Sequence, residues 1–117
     1  MFRKLSDNEY RVVSILWEFD KELTSSEMRN FYNNKYNEDI VVTTFNTYIS
    51  RAIKKGIIVK IDRHKQQAHY RYTVSKKDYN RKYVESELLR INTSFKDICK
   101  LWYCLDDETY NKLDQEL

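Results

Sequence analysis

The chain has 117 residues, 41% of them hydrophobic and 33% charged, which is enough for one folded core and too short for two. No stretch approaches the roughly 18 apolar residues of a membrane span, and the first residues lack the apolar run of a signal peptide. We therefore expect a cytoplasmic protein without membrane insertion. One Gly and no Pro predict a mainly helical fold with short connections.

Charge is unevenly distributed along the chain, although the overall net charge is only +3. Residues 51–82 contain eleven Lys or Arg and two Asp, a net charge of +9, whereas residues 1–50 and 83–117 each contain more acidic than basic residues. Such a dense positive segment is typical of proteins that bind polyphosphate, because neutralised phosphates release condensed counterions. Nucleic acid is therefore the first partner to test.

Two capping boxes mark the starts of the first two predicted helices. Ser6 with Glu9, and Thr24 with Glu27, have the spacing at which a hydroxyl caps a helix amide and the acidic side chain bonds back. Apolar residues then recur at intervals of three and four, which predicts a first helix to about Phe19 and a short second helix. The predicted buried positions of these helices are Tyr10, Val13, Leu16, Trp17, Met28, Phe31 and Tyr32.

A third predicted helix follows residues 41–44 and has two contrasting faces. Its apolar positions are Phe45, Tyr48, Ile49, Ala52 and Ile53. Its opposite face carries hydrogen-bonding and cationic residues: Thr43, Thr44, Asn46, Thr47, Ser50, Arg51, Lys54 and Lys55. Gly56 is expected to end the helix, because glycine adopts a left-handed backbone without strain.

Residues 57–61 and 69–74 are β-branched and aromatic with partial alternation, and the segment between them is polar apart from Ala68. This pattern predicts a hairpin. Its tip is expected to carry Arg63, His64 and Lys65. Three helices followed by a basic two-stranded ribbon predict a winged helix-turn-helix DNA-binding domain over residues 1–75, a mainly α fold with a small β-hairpin wing.

Residues 76–117 return to helical periodicity, with wide apolar faces that the small domain before them cannot bury. Because exposed apolar stripes of this kind usually pair with a second copy, we expect a helical dimerisation region. Its predicted contact residues are Tyr83, Leu88, Ile91, Phe95, Ile98, Leu101, Trp102, Leu105, Tyr110, Leu113 and Leu117. A small-molecule pocket is an alternative use of the same region. It would be lined by Tyr79, Tyr83, Trp102 and Tyr103.

The early residues of the second helix in a helix-turn-helix face base edges in the major groove. The residues that this rule places at the bases are Thr43, Thr44, Asn46 and Thr47. An Asn amide can pair with adenine and a Thr methyl can contact the thymine methyl, which favours readout of A and T. Cations further along the third helix are expected to contact phosphates. These cations are Arg51, Lys54 and Lys55. His64, at the tip of the hairpin, is expected to contact the minor groove or a phosphate. Taken alone, the helix face also fits a simple solvated surface.

The sequence contains no catalytic constellation and no cofactor motif. Cys99 and Cys104 are five residues apart on different faces of a predicted helix, and His64 and His69 are the only two histidines. A four-ligand zinc site is hard to assemble from these residues. We therefore expect neither an enzyme nor a bound metal or cofactor.

Four blocks of sequence resemble the penicillinase and methicillin-resistance repressor family over nearly the whole chain. They are Leu5-Ser6-x-x-Glu9-Tyr10-x-Val12-Val13-x-x-Leu16-Trp17, Thr44-x-x-Thr47-x-Ile49-x-Arg51, Lys54-Lys55-Gly56-Ile57-Ile58 and Tyr70-x-Tyr72-x-Val74-Ser75. The resemblance implies a homodimeric repressor that binds an inverted-repeat operator in duplex DNA and controls β-lactam resistance or a related stress response. It also implies that Thr44, Thr47 and Arg51 contact DNA.

The chain differs most from the family at the site where family members are cut to release them from DNA. The family is released when a membrane-bound sensor protease, activated by a β-lactam, leads to a cut at an Asn-Phe bond in the C-terminal half. Alignment on Phe95 places Leu101-Trp102 at that bond, and the sole Asn-Phe pair here is Asn30-Phe31 in the second predicted helix. Relief by a protease of another preference, or by another signal, therefore stays open.

Other departures leave further alternatives. Family members often carry Lys and Arg at the positions of Thr43 and Asn46, so the operator sequence is expected to differ. Copper-responsive relatives hold metal with paired cysteines, a spacing that Cys99 and Cys104 do not share. A protein-interaction module, in which the basic segment binds an acidic protein surface, is the alternative from a different functional class.

Overall fold

The computed structural model describes residues 2–63, 66–91 and Asp97. Within these residues the elements in chain order are α1 (Asp7–Phe19), β1 (Leu23–Thr24), α2 (Ser25–Tyr36), α3 (Val42–Lys54), β2 (Ile58–Ile61), β3 (His69–Tyr72) and α4 (Lys76–Arg90). The helices α1, α2 and α3, together with the small antiparallel sheet, confirm the predicted winged helix. One compact unit comprises Arg3–Tyr79, and α4 continues from Asn80 into a second unit.

Both predicted capping boxes are formed. At α1 the Glu9 amide donates to Ser6 Oγ at 3.2 Å, and the Ser6 amide donates to Glu9 Oε1 at 3.1 Å. At α2 the Glu27 amide donates to Thr24 Oγ1 at 3.2 Å, and the Thr24 amide donates to Glu27 Oε1 at 3.0 Å. Each pair satisfies two amides that the first helical turn leaves without partners, which fixes where the helices begin.

The core is built around α1, which packs against α2, α3 and β3. Its side chains at four positions have no exposed surface: Val12, Val13, Ile15 and Leu16. Two of these, Val12 and Ile15, lie outside the single apolar face predicted from the sequence, because α1 is covered on more than one side. Tyr10 and Trp17 are half-buried instead and pack against Tyr79, with ring centroids 5.8 Å from it in both cases.

The predicted hairpin is formed by β2 and β3, with Ile58 opposite Tyr72 and Ile61 opposite His69. A third strand, β1, was not predicted; it pairs antiparallel with β3 and places Leu23 opposite Tyr70, in the order β1-β3-β2. Two residues are too few for an alternating pattern, so only the pairing reveals this strand.

Gly56 at the end of α3 and Tyr79 at the start of α4 belong to the first unit. Gly56 follows α3 with φ +78°, the left-handed backbone expected of it. Tyr79, in the first turn of α4, is 3% exposed, and its hydroxyl accepts a hydrogen bond of 2.8 Å from the Leu5 amide. None of the helices among the described residues is long and apolar enough to span a bilayer.

Candidate nucleic-acid interface

The buried residues of α3 determine which face of the helix points outward. Phe45, Ile49 and Ala52 have at most 2% exposure and fix the rotation of the helix against α1. All but one of the α3 residues predicted to contact bases or phosphates consequently lie on the solvent side. The exposed ones are Thr43, Asn46, Thr47, Ser50, Arg51 and Lys54, and Thr44 is half-buried.

Most polar groups of this face are available to an external partner. Within the described part of the chain, the side chains of Asn46, Ser50, Arg51 and Lys54 make no hydrogen bond or ion pair. The Thr47 hydroxyl donates instead to the Thr43 carbonyl, one turn earlier, at 2.9 Å. The face therefore offers an amide, a hydroxyl and two cations without internal competitors.

Lys55 does not belong to this face, although the sequence analysis placed it there. Its Nζ donates to Glu9 Oε1 at 2.5 Å and to the Lys4 carbonyl at 2.8 Å. The Glu9 side chain is only 3% exposed, so Lys55 neutralises a buried carboxylate. Burial raises the pKa of Glu9, but the hydrogen bond from Lys55, that from the Ser6 amide and the Lys55 charge outweigh it, and the pKa lies below its usual value.

The wing supplies fewer available cations than its composition suggests. Arg63 is exposed but forms an ion pair with Glu22, and its hydrogen bond lowers the pKa of that carboxyl. Lys60 and Arg71 are both exposed, but on opposite faces of the sheet. Lys60 lies opposite Tyr70 and therefore on the same face as Tyr70, whereas Arg71, the next residue of β3, points to the other face. His64 and Lys65 lie outside the described residues. The +9 segment is thus not one continuous positive surface.

Two valines at the start of α3 are exposed, although neither was predicted from the sequence to belong to the outward face of the helix. Val41 is 61% exposed and Val42 50% exposed. Val41 is the N-cap residue and makes no side-chain hydrogen bond, unlike the N-cap residues of α1 and α2. The signal was present in the sequence, since valine is a poor N-cap residue and gains nothing from solvent exposure.

The predicted dimerisation residues can be followed only in part. Tyr83 and Leu88 are half-buried, and the Tyr83 ring packs edge-on against Phe2 at a centroid distance of 6.3 Å. Ile91 is 54% exposed, and its neighbour Leu89 is 78% exposed. The remaining predicted contacts lie outside the described residues: Phe95, Ile98, Leu101, Trp102, Leu105, Tyr110, Leu113 and Leu117.

The described residues cover only part of the alternatives based on metal or small-molecule binding. His69 is half-buried in β3, and its Nδ1 is buried without a hydrogen-bond partner among the described residues. No group of three or more potential metal ligands occurs in residues 2–63 and 66–91. Tyr79 packs inside the first unit rather than lining a pocket of C-terminal helices. Cys99, Cys104 and the aromatic pair 102–103 lie outside the described residues.

Comparison with known proteins identifies the family. Residues 5–103 match the family described as penicillinase repressor. Among solved structures, RosR of H. salinarum is similar to this chain, with a TM-score of 0.54 and 11% sequence identity over 98% of this chain and 92% of that chain. At this identity the similarity shows a shared fold alone. The comparison with curated proteins found no match. Since the family match spans most of the sequence, the chain belongs to the penicillinase repressor family, the DNA-binding transcriptional repressors that its winged helix and resemblance indicated.

Proposed function

We propose that the protein is a homodimeric repressor that binds an inverted-repeat operator in duplex DNA and blocks transcription from the promoter it covers. The observation that carries this proposal is the outward face of α3, where an amide, a hydroxyl and two cations are exposed while the opposite face is locked into the core. Such a helix fits the major groove, which admits one α-helix and presents hydrogen-bonding base edges.

The residues divide by position along α3. Asn46, near the start of the helix, is suited to pair with adenine through its amide. Arg51 and Lys54, about one and a half and two turns later, are suited to phosphates on either side of the groove. A two-fold dimer would set two such helices about 34 Å apart or a multiple of it, so the half-sites would repeat on one side of the duplex.

Fluorescence anisotropy of the full chain with labelled duplexes tests this proposal. Titrations across a range of salt concentrations would compare an inverted repeat, selected from a random pool by the protein, with an unrelated duplex. We expect affinity for both duplexes to fall steeply with salt, and the selected duplex to bind on the order of 10³-fold or more tightly. Absence of duplex binding at low salt would favour the protein-interaction alternative.

The inducing signal is proposed on the strength of family membership. We infer control of β-lactam resistance or a related stress response, with a membrane sensor protease as the partner that starts release. The absence of an Asn-Phe bond in the C-terminal half of the sequence means that any cut uses another bond. Immunoblots of the source cells before and after β-lactam treatment would show a shortened chain if release is proteolytic, and an intact chain if another signal acts.

A further inference from the structure

We propose that Val42 is a specificity-determining residue, which contacts the 5-methyl group of a thymine in each half-site of the operator. The inference rests on the proposed function, because it requires α3 to enter the major groove. It adds a valine contact to those expected from the Thr, Asn and cationic side chains of the outward face.

The position of Val42 brings it to the bases. It is the first residue of α3, and the N-terminal residues of a recognition helix are the ones that face base edges. Asn46 lies one turn further on, at the i+4 spacing that makes two side chains neighbours on a helix surface. Val42 is 50% exposed, so its methyl groups are accessible beside an amide suited to adenine.

The local sequence at this end of α3 does not serve the stability of the fold. The other two helices of the first unit begin with complete capping boxes, whereas α3 begins with Val41, which makes no capping hydrogen bond. Two adjacent valines that are 61% and 50% exposed also forgo about half of the stabilisation that full apolar burial provides. A contact that forms only in the complex with DNA accounts for the two valines at the start of α3.

The chemistry of the groove selects the partner group. Of the groups that base pairs present in the major groove, the thymine 5-methyl is the apolar one, and the others are hydrogen-bond donors or acceptors. A valine side chain has no donor or acceptor. Its favourable contact at a base edge is therefore with a thymine methyl.

A thermodynamic cycle between protein and DNA tests this contact. Wild type and Val42→Ala are titrated against the selected operator and against duplexes in which each thymine is replaced in turn by deoxyuridine, which lacks only the 5-methyl group. We expect one position per half-site at which the wild type loses about four-fold in affinity, the equivalent of about 0.8 kcal/mol for one buried methyl group. Val42→Ala should lose less than two-fold at that position.

Controls separate this result from loss of folding or of general binding. Lys21→Ala removes an exposed side chain between α1 and β1, outside α3 and α4, and it should retain the full wild-type response to deoxyuridine. Thermal melting followed by circular dichroism would show that Val42→Ala folds. Equal losses for wild type and Val42→Ala at every thymine would overturn the assignment of Val42 while leaving the proposed function intact. A wild-type chain that binds no duplex would overturn both.

Discussion

At the scale of single residues, two adjacent lysines at the end of α3 have different roles. The exposed Lys54 side chain makes no hydrogen bond or ion pair among the described residues, whereas the Lys55 side chain is bonded to the buried Glu9. Successive residues of a helix differ by about 100° in direction, which is enough to turn one cation to solvent and the next to the protein. Charge counted along the sequence therefore overstates the charge available to DNA.

Arg51 is the cation whose loss should be most visible in DNA binding. Arg51→Ala should weaken binding to the operator and to unrelated duplex alike, because a phosphate contact carries no sequence information. The slope of log affinity against log salt should fall by about one unit. Fluorescence titration at four or more salt concentrations measures the slope. Lys21→Ala, which removes an exposed cation between α1 and β1, serves as the matched control and should leave it unchanged.

Glu9 should make stability depend on pH in the acidic range. Its pKa is lower in the folded protein than its ordinary value of 4.5. The stability it contributes is therefore fully present above pH 4.5 and is lost as the pH falls through the folded pKa. Thermal melting between pH 7 and pH 3 should show a drop for wild type that is smaller for Glu9→Gln.

At neutral pH, Glu9→Gln should also be less stable than wild type by about 1–3 kcal/mol, since it leaves Lys55 beside a neutral amide. Lys35→Ala provides a comparison, because its ion pair with Glu18 is about half exposed and should contribute little. A Glu9→Gln variant with the same pH profile as wild type would contradict this role of the carboxylate.

At the scale of elements, α3 differs from α1 and α2 in how it begins. All three N-cap residues have an extended backbone, with φ −73° and ψ 150° at Val41. The missing feature at α3 is thus the side-chain oxygen alone, and the helix depends on packing of Phe45 and Ile49 instead of on a cap.

Val41→Ser should consequently stabilise the protein by about 1 kcal/mol, because a hydroxyl at a suitable backbone angle can accept an amide of the first turn. Urea denaturation would measure the free energy of unfolding. Val41→Ala is the matched control, since it removes the exposed valine without adding an oxygen. If the Ser and Ala variants were equally stable, no capping bond would have formed.

At the scale of the whole molecule, α4 carries several exposed apolar residues. Leu89 is 78% exposed, Ile91 54% and Val84 39%. Exposed apolar residues that cluster on one element are typical of association surfaces. They support the proposal that this part of the chain joins two copies.

Leu89→Lys should weaken the dimer at least about ten-fold, because the interface would have to desolvate an unpaired charge. Sedimentation velocity over a range of protein concentrations would measure the change. Glu85→Ala, which alters an exposed polar residue of the same helix, should sediment as wild type does. A Leu89→Lys chain that remains dimeric at all concentrations would place the dimer contacts elsewhere.

Features that depend on near neighbours along the chain could be predicted correctly from the sequence. The capping boxes, the period of Phe45, Ile49 and Ala52, and the β-branched wing strands are local patterns, and each predicted its element correctly. The blocks of family resemblance are likewise strings of adjacent residues, which is why the family could be recognised before the fold was seen.

Which of the predicted residues remain available to a partner depends on the packing of segments far apart in the sequence. Lys55 meets Glu9 across 46 positions of sequence, and Arg63 meets Glu22 across 41. The strand β1 likewise exists only because β3 pairs with it. These outcomes depend on where distant segments pack, and a charge or a two-residue strand carries no local pattern that specifies its distant partner.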